Sequence, residues 1–340
     1  MGRPGLRQCR FCRLVRAGPG RTPSAHLMEL PLIAQQFGDQ TGAALRSRLA
    51  HHLIIDAAPG PEGWSHDTEV LLAAPTQAWR GKPRPRGWPG ATRWVQLPGT
   101  GIDAYPEWMF DVPCVTTAAG LNAPFIAEFV MATMLGFEKR FPEAWIKAAD
   151  DWKPRMSGTL HGKRLALAGV GAVGTAVARH ALGFGMHVVA LRRTLAAPMD
   201  GVQAVIDPMR LAPMADHLVL CMPSTPQTRH VVNETFLAAC RPGLHIVNVA
   251  RGDLIDQEAL LRALDDGTVA RASLDVATPE PLPDKHPLYT HPKVRLTPHL
   301  AWSAPGAVVK LLDFFVGQLG LFITGQPLKN RVPPPLSHPL

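Results

Sequence analysis

Apolar residues recur along this chain in short blocks, and their spacing changes from block to block. The runs LIID (53–56), VLLAA (70–74), RWVQL (93–97) and CVTT (114–117) are short, continuous and bounded by turn residues, so they predict buried strands. TGAALRSRLAHHL (41–53) has the spacing of a helix, and RGKPRPRGWPG is a turn-rich loop. NAPFIAEFVMATMLGFEK (122–139) predicts a long helix with its proline in the first turn, where it is tolerated. LALAGVGAVGTAVARHALGFGMHVVALRRT (165–194) then reads as strand, glycine turn, helix, strand. HLVLCMP (217–223), HIVNVA (245–250), RASLDV (271–276) and VRLTP (294–298) predict further strands, and DQEALLRALDDG (256–267) a helix ending at a glycine. Strands alternating with helices in this way imply parallel sheets covered on both faces.

The pattern divides the chain. Residues 28–122 form a small α/β domain, and 123–303 a doubly wound one. The last apolar run, VVKLLDFFVGQLGLFITG (308–325), has no partner in the second domain and is expected to return to the first, which then comprises 28–122 and 304–326. Lys310, Asp313 and Gln318 interrupt that run, so a buried helix is expected and not a membrane span. No regulatory domain is expected beyond it.

Composition adds little until charge is located. The chain has 340 residues, 46% of them hydrophobic, enough for two cored domains. Formal net charge is +8, which by itself suggests a nucleic-acid partner. Residues 1–27, however, hold six arginines and no acid, whereas the rest carries 29 basic against 27 acidic side chains. The body therefore needs no polyanionic partner, and the basic tail is expected to be a flexible extension, with Met28 as an alternative start. Cys9 and Cys12 form a lone CxxC without a second pair, so no metal site is expected. Cys114, Cys221 and Cys240 lie in apolar surroundings and suit reduced thiols of a cytoplasmic protein.

Gly169, Gly171 and Gly174 form GxGxxG between a strand and a helix. The first allows a tight turn, the second lets backbone approach a pyrophosphate, and the third lets helix and strand pack closely. With the intervening Ala172 and Val173 they predict a dinucleotide site at a helix N-terminus. Arg192, Arg193 and Thr194 follow the next strand, where an acid would accept from the ribose of NAD. Arginine there can instead pair with the extra phosphate of NADP, so NADP(H) is the expected cofactor and NAD(H) the alternative.

Three further stretches, VNVARGDLIDQEAL, SLDVATPEPLP and TPHLAWSA, place Arg251, then Asp275 and Glu280, then His299 after successive strands. Chemistry gathers at the carboxyl ends of strands in doubly wound sheets. Taken singly, each residue has an ordinary structural explanation. In their order and phrasing, GVGAVG, NVARG, LDVATPEPLP and TPHLAW resemble the D-isomer-specific 2-hydroxyacid dehydrogenases over about residues 50–326. The resemblance implies a Rossmann nucleotide domain inserted into a discontinuous, flavodoxin-like substrate domain. It implies that Arg251 binds the substrate carboxylate and 2-oxo group, and that His299 donates a proton to the carbonyl oxygen. Glu280 would orient the imidazole and favour its protonated form. Thr100 and Gly101 of PGTGID would hold the carboxylate through backbone N–H groups, and Trp302 would wall the pocket. Met222 and Pro223 match the adenosine side, and Val249, Ala250 and Asp275 the nicotinamide side. A homodimer formed through the nucleotide domain is also implied.

Ala277 stands where the family commonly has an aromatic residue, and the resemblance is weak over 30–90, which should shape the substrate pocket. The expected activity is reduction of a small 2-oxo acid such as glyoxylate or hydroxypyruvate. The alternatives are an NAD-dependent dehydrogenase of another D-2-hydroxy acid, and a dinucleotide sensor like the C-terminal binding corepressors.

Overall fold

The computed structural model describes residues 30–194 and 199–333. The basic tail, its CxxC and Met28 lie outside the described residues. The chain divides into two compact units. One runs to Ala118 and resumes at Leu311, and the other is Ala119–Lys310, so the expected borders at 122/123 and 303/304 fall inside the second unit.

The first unit contains β1 (Ile33–Gln35), α1 (Asp39–Arg48), β2 (Ile54–Asp56), β3 (Val70–Leu72), β4 (Trp94–Gln96) and β5 (Cys114–Thr116). These five strands pair with one another in parallel, in the order β2-β1-β3-β4-β5, the flavodoxin-like arrangement. Side chains alternate across the sheet. Val70, Leu72 and Trp94 join one cluster with Ile33 and Leu45, while Leu71 and Val95 join another with Trp79, Trp88 and Met109.

The second unit contains α2 (Ala123–Glu138), β6 (Arg164–Ala168), α3 (Ala172–Gly183), β7 (His187–Leu191), β8 (Val202–Val205), α4 (Pro208–Leu211) and β9 (His217–Leu220). It continues with α5 (Glu234–Ala238), β10 (Leu244–Asn248), α6 (Gln257–Asp265), β11 (Val269–Leu274) and β12 (Val294–Leu296). The sheet order is β12-β11-β10-β9-β6-β7-β8, all parallel. Leu165 and Leu167 pack with Val130, Met134, Val177 and Ala181 from α2 and α3. Ala166 and Ala168 face the opposite cluster, with Leu260 and Leu264 of α6. The sheet is thus wound on both faces, as the sequence implied.

α7 (Ala307–Ile323) brings Leu312, Phe315 and Leu319 into the first unit's core, where Phe315 stacks on Trp94 at 5.1 Å. Two strands were not anticipated, β1 and β8. The helix expected over 41–53 runs over 39–48 instead. Its C-terminal third becomes a turn because β2 must start at Ile54 to pair with Ile33. Leu53 is left 67% exposed.

Candidate active site

Strand order reverses between β6 and β9, and ligands of doubly wound sheets bind in the crevice at that switch point. The three glycines behave there as the motif requires. Gly169 has φ +106°, and a Cβ on it would lie 2.9 Å from the Cβ of Met222, the residue two beyond β9. Gly174 is buried against β6, where a Cβ would lie 2.3 Å from the Gly169 carbonyl. A Cβ on Gly171 would meet nothing within 4 Å. Space is therefore open in front of the Gly171 backbone, while Ala172, Val173 and Gly174 form the first turn of α3, whose amides have no partner within the helix. This is a cradle for a pyrophosphate, and it fits a dinucleotide.

At the end of β7 the Arg192 N–H donates to Val205 O at 2.9 Å. Arg192 is half-buried, and Arg193 and Thr194 are exposed. Beyond β9, Pro223 O accepts from Thr228 Oγ1 at 2.8 Å, and Ser224 Oγ donates to Asp253 at 2.7 Å. The turn after β9 is therefore held by its own hydroxyls. At the end of β10, buried Asn248 accepts from the Ala250 N–H at 3.1 Å and donates to Arg251 O at 2.8 Å. This amide fixes the turn carrying Val249, Ala250 and Arg251.

His299 follows β12 with φ +55°, a conformation costing a non-glycine residue about 1–3 kcal/mol. Its own N–H donates to Asp275 O at 2.9 Å and Thr297 O at 3.0 Å. The buried Asp275 carboxylate accepts from Thr297 Oγ1 at 2.6 Å, Leu300 N at 2.8 Å and Ala301 N at 2.9 Å. The ring Nδ1 lies 3.1 Å from Glu280 Oε2, and the other Glu280 oxygen accepts from the Ala277 N–H at 3.1 Å. Burial raises the Glu280 pKa. The hydrogen bond and charge of His299, the Ala277 N–H and the Arg251 guanidinium together outweigh that and bring it below the usual carboxylate range. An ionised Glu280 accepts, so Nδ1 carries a proton and Nε2 is the nitrogen that can exchange one. Nε2 makes no hydrogen bond among the described residues. The imidazole is 39% exposed. A carboxylate-oriented imidazole with one ring nitrogen open, beside a guanidinium, suits proton transfer to an anionic substrate.

The structure thus brings Arg251, Asp275, Glu280 and His299 together at one edge of the second unit's sheet, with the glycine turn at that same edge. Three features escaped sequence reasoning: the Asn248 clamp, the triple acceptance by Asp275, and the 2.9 Å bond from Trp302 Nε1 to His299 O. Asp275 was assigned only to the nicotinamide side. A buried aspartate directly after a strand, needing several donors, was the available signal.

In the first unit, Thr100 and Gly101 sit on the loop after β4, and Thr100 is exposed. The neighbouring loop after β3 is braced by Tyr105 Oη, which donates to Ala74 O at 3.1 Å. Cys114, Cys221 and Cys240 are free thiols, and burial pushes Cys240 up to about 12. Among the described residues no cluster of metal-ligating side chains occurs, and no helix is long and apolar enough to cross a membrane.

The geometry agrees with what the chain is similar to. Residues 131–301 match the NAD-binding domain of the D-isomer specific 2-hydroxyacid dehydrogenases. A glyoxylate/hydroxypyruvate reductase A of Serratia proteamaculans is 31% identical over 224 residues, covering 62% of this chain and 71% of that protein. A chloroplastic D-3-phosphoglycerate dehydrogenase 3 of Arabidopsis thaliana is 38% identical over 217 residues, covering 60% of this chain but only 36% of the plant protein. Among solved structures, a D-isomer specific 2-hydroxyacid dehydrogenase of Xanthobacter autotrophicus in complex with NADPH and MES superposes with TM-score 0.72. It is 27% identical and covers 89% of this chain and 98% of that one. A switch-point glycine cradle, a carboxylate-paired histidine and these matches converge: the chain belongs to the D-isomer-specific 2-hydroxyacid dehydrogenases, a family of NAD-binding oxidoreductases.

Proposed function

We propose that the chain is an NADPH-preferring reductase of a small 2-oxo acid of the glyoxylate or hydroxypyruvate kind. The observation that carries the reaction is the His299–Glu280 pair with Arg251 beside it. Arg251 pairs with the substrate carboxylate and draws electron density from the 2-oxo group. His299 Nε2 delivers a proton to the carbonyl oxygen and recovers it in the reverse direction, while Glu280 stabilises the imidazolium. A bound nicotinamide supplies the hydride. On the same reading Thr100 and Gly101 would offer backbone N–H groups to a substrate carboxylate, and Asp275, Val249 and Ala250 would hold the nicotinamide side of the cofactor. Arg192 and Arg193 at the end of β7, where no acid follows, support the 2′-phosphate of NADPH over the bare ribose of NADH. The similarity to the Serratia reductase and to the Xanthobacter enzyme solved with NADPH supports both choices.

The same reading makes the protein a cytoplasmic homodimer. Its free thiols suit a reducing compartment. Self-association is supported by the segment after α2, which exposes Phe141, Trp145, Ile146 and Trp152. Sedimentation checks the dimer, which a single monomeric species would overturn.

The deciding experiment is initial-rate oxidation of NADPH and NADH with glyoxylate, hydroxypyruvate and pyruvate. Faster turnover with NADPH and one of the first two acids is expected. Turnover with NADH alone overturns the cofactor preference but keeps the reductase. Cofactor binding without turnover of any acid favours a dinucleotide sensor.

A further inference from the structure

We infer that Trp302 is a positioning residue for proton transfer, acting on the backbone of His299 and not merely as a wall of the substrate pocket. The inference rests on His299 being the proton donor. The peptide joining His299 to Leu300 is pinned at both ends. Its N–H donates to Asp275 Oδ1 at 2.8 Å, and its carbonyl accepts from Trp302 Nε1 at 2.9 Å. Those bonds fix the plane of that peptide. Together with the His299 N–H bonds to Asp275 O and Thr297 O, they hold both sides of the left-handed residue. The direction of its Cα–Cβ bond then follows, and the Nδ1 bond to Glu280 fixes the ring's rotation. Every freedom of the imidazole is removed except proton exchange at Nε2.

The contributions of the two pins differ. Asp275 is buried and takes three donors, so its removal would disturb the whole loop. Trp302 is 42% exposed, and its indole N–H is donated to this one carbonyl. Without that donor the peptide can rotate towards conformations in which His299 leaves the left-handed region, taking Nε2 with it. Indole is the aromatic side chain that offers an N–H while presenting a broad apolar face, so one residue can hold the histidine and border the substrate.

Trp302→Phe keeps an aromatic ring and deletes the donor, and Trp302→Ala deletes both. Loss of positioning lowers the population of reactive His299 without removing a substrate contact. In Trp302→Phe we expect kcat to fall on the order of fivefold, the worth of one neutral hydrogen bond. KM, NADPH affinity and Tm should stay close to wild type. Trp302→Ala should show a comparable fall in kcat plus a rise in KM. Normal kcat in Trp302→Phe with a raised KM in Trp302→Ala would mean a pocket wall only, and would overturn the inference. His299→Ala, run in parallel, separates the two levels. If it retains turnover, the acid/base reading fails and this inference with it. If it is inactive while Trp302→Phe is normal, only the positioning role fails.

Discussion

The two edges of the second unit's sheet each carry a histidine bonded to a glutamate, and they use the pair in opposite ways. At the carboxyl edge, His299 and Glu280 are partly exposed, at 39% and 29%. At the amino edge, Glu138 and His217 are sealed at 3% and 0%. There Glu138 accepts from Lys163 and, at 3.0 Å, from His217 Nε2. His217 Nδ1 lies 3.1 Å from His245 Nδ1, and His245 Nε2 lies 3.0 Å from Ser273 Oγ. Both ring nitrogens of both histidines are spent within the protein. The difference is instructive. A histidine–carboxylate pair does not itself mark catalysis; the pair at the candidate site differs in having an unspent nitrogen reachable from outside. The amino-edge chain is a buried polar network in which every member is satisfied, the condition under which such a network is tolerated.

The comparison breaks most visibly by deletion. His299→Ala should lower turnover by roughly two to four orders of magnitude with little change in NADPH affinity or Tm. Wild-type turnover would sink the assignment of its open nitrogen. The mirror experiment at the other edge is Glu138→Ala, which strands Lys163 and His217 and should cost about 3–5 kcal/mol in chemical denaturation. Its turnover per folded molecule should stay near wild type; a selective loss of kcat would mean the amino edge takes part in the reaction.

A smaller effect is expected from Arg192→Ala. It should weaken NADPH roughly tenfold or more relative to NADH, because only NADPH offers the additional phosphate to a charge-assisted bond. Fluorescence titration with both cofactors reads this, and equal weakening would refute the phosphate contact.

The smallest effect separates the edges by pH. Burial, followed by the charges of His217, Arg271 and Lys163, holds the His245 pKa well below the ordinary imidazole range. Phe137 stacks on its ring and Ser273 Oγ lies against its Nε2, while Glu138 is bonded to the far nitrogen of His217. The folded state keeps His245 neutral while the unfolded chain takes up a proton below about pH 6.5. Stability is whole above that pH and falls as pH drops, by up to about 1.4 kcal/mol per unit from this group. Urea unfolding between pH 7.5 and 5.5 measures the slope, and the double variant His217→Leu/His245→Leu should flatten it. An unchanged slope would show that the network is not its source.

Fold class was legible because its signals are long-range periodicities, namely continuous apolar runs alternating with helices. What escaped was short or disguised. β1 ends in Gln35, whose side chain is wholly buried because its amide donates to Gly38 O and Asp56, so a polar letter hid a strand. β8 is a four-residue edge strand with one exposed glutamine and no continuous run. The residues of the candidate site could be named from motif order and strand ends, since sequence marks where side chains sit. The bonds that aim them could not, because Asp275, Asn248 and Trp302 act through backbone groups in turns whose conformation no spacing encodes. The buried histidines were invisible for a related reason. At the start of a strand, His217 and His245 look like ordinary polar boundaries, and only their mutual distance reveals a pair.

The return of α7 also sets a timetable for synthesis. Trp94 is made early, but Phe315 and Phe322, which cover it at 5.1 and 5.4 Å, are made some two hundred residues later. The second unit has its whole sheet once β12 has been translated, whereas the first must wait with one apolar face bare. On the ribosome the unit begun first is thus the last to have all of its core residues available.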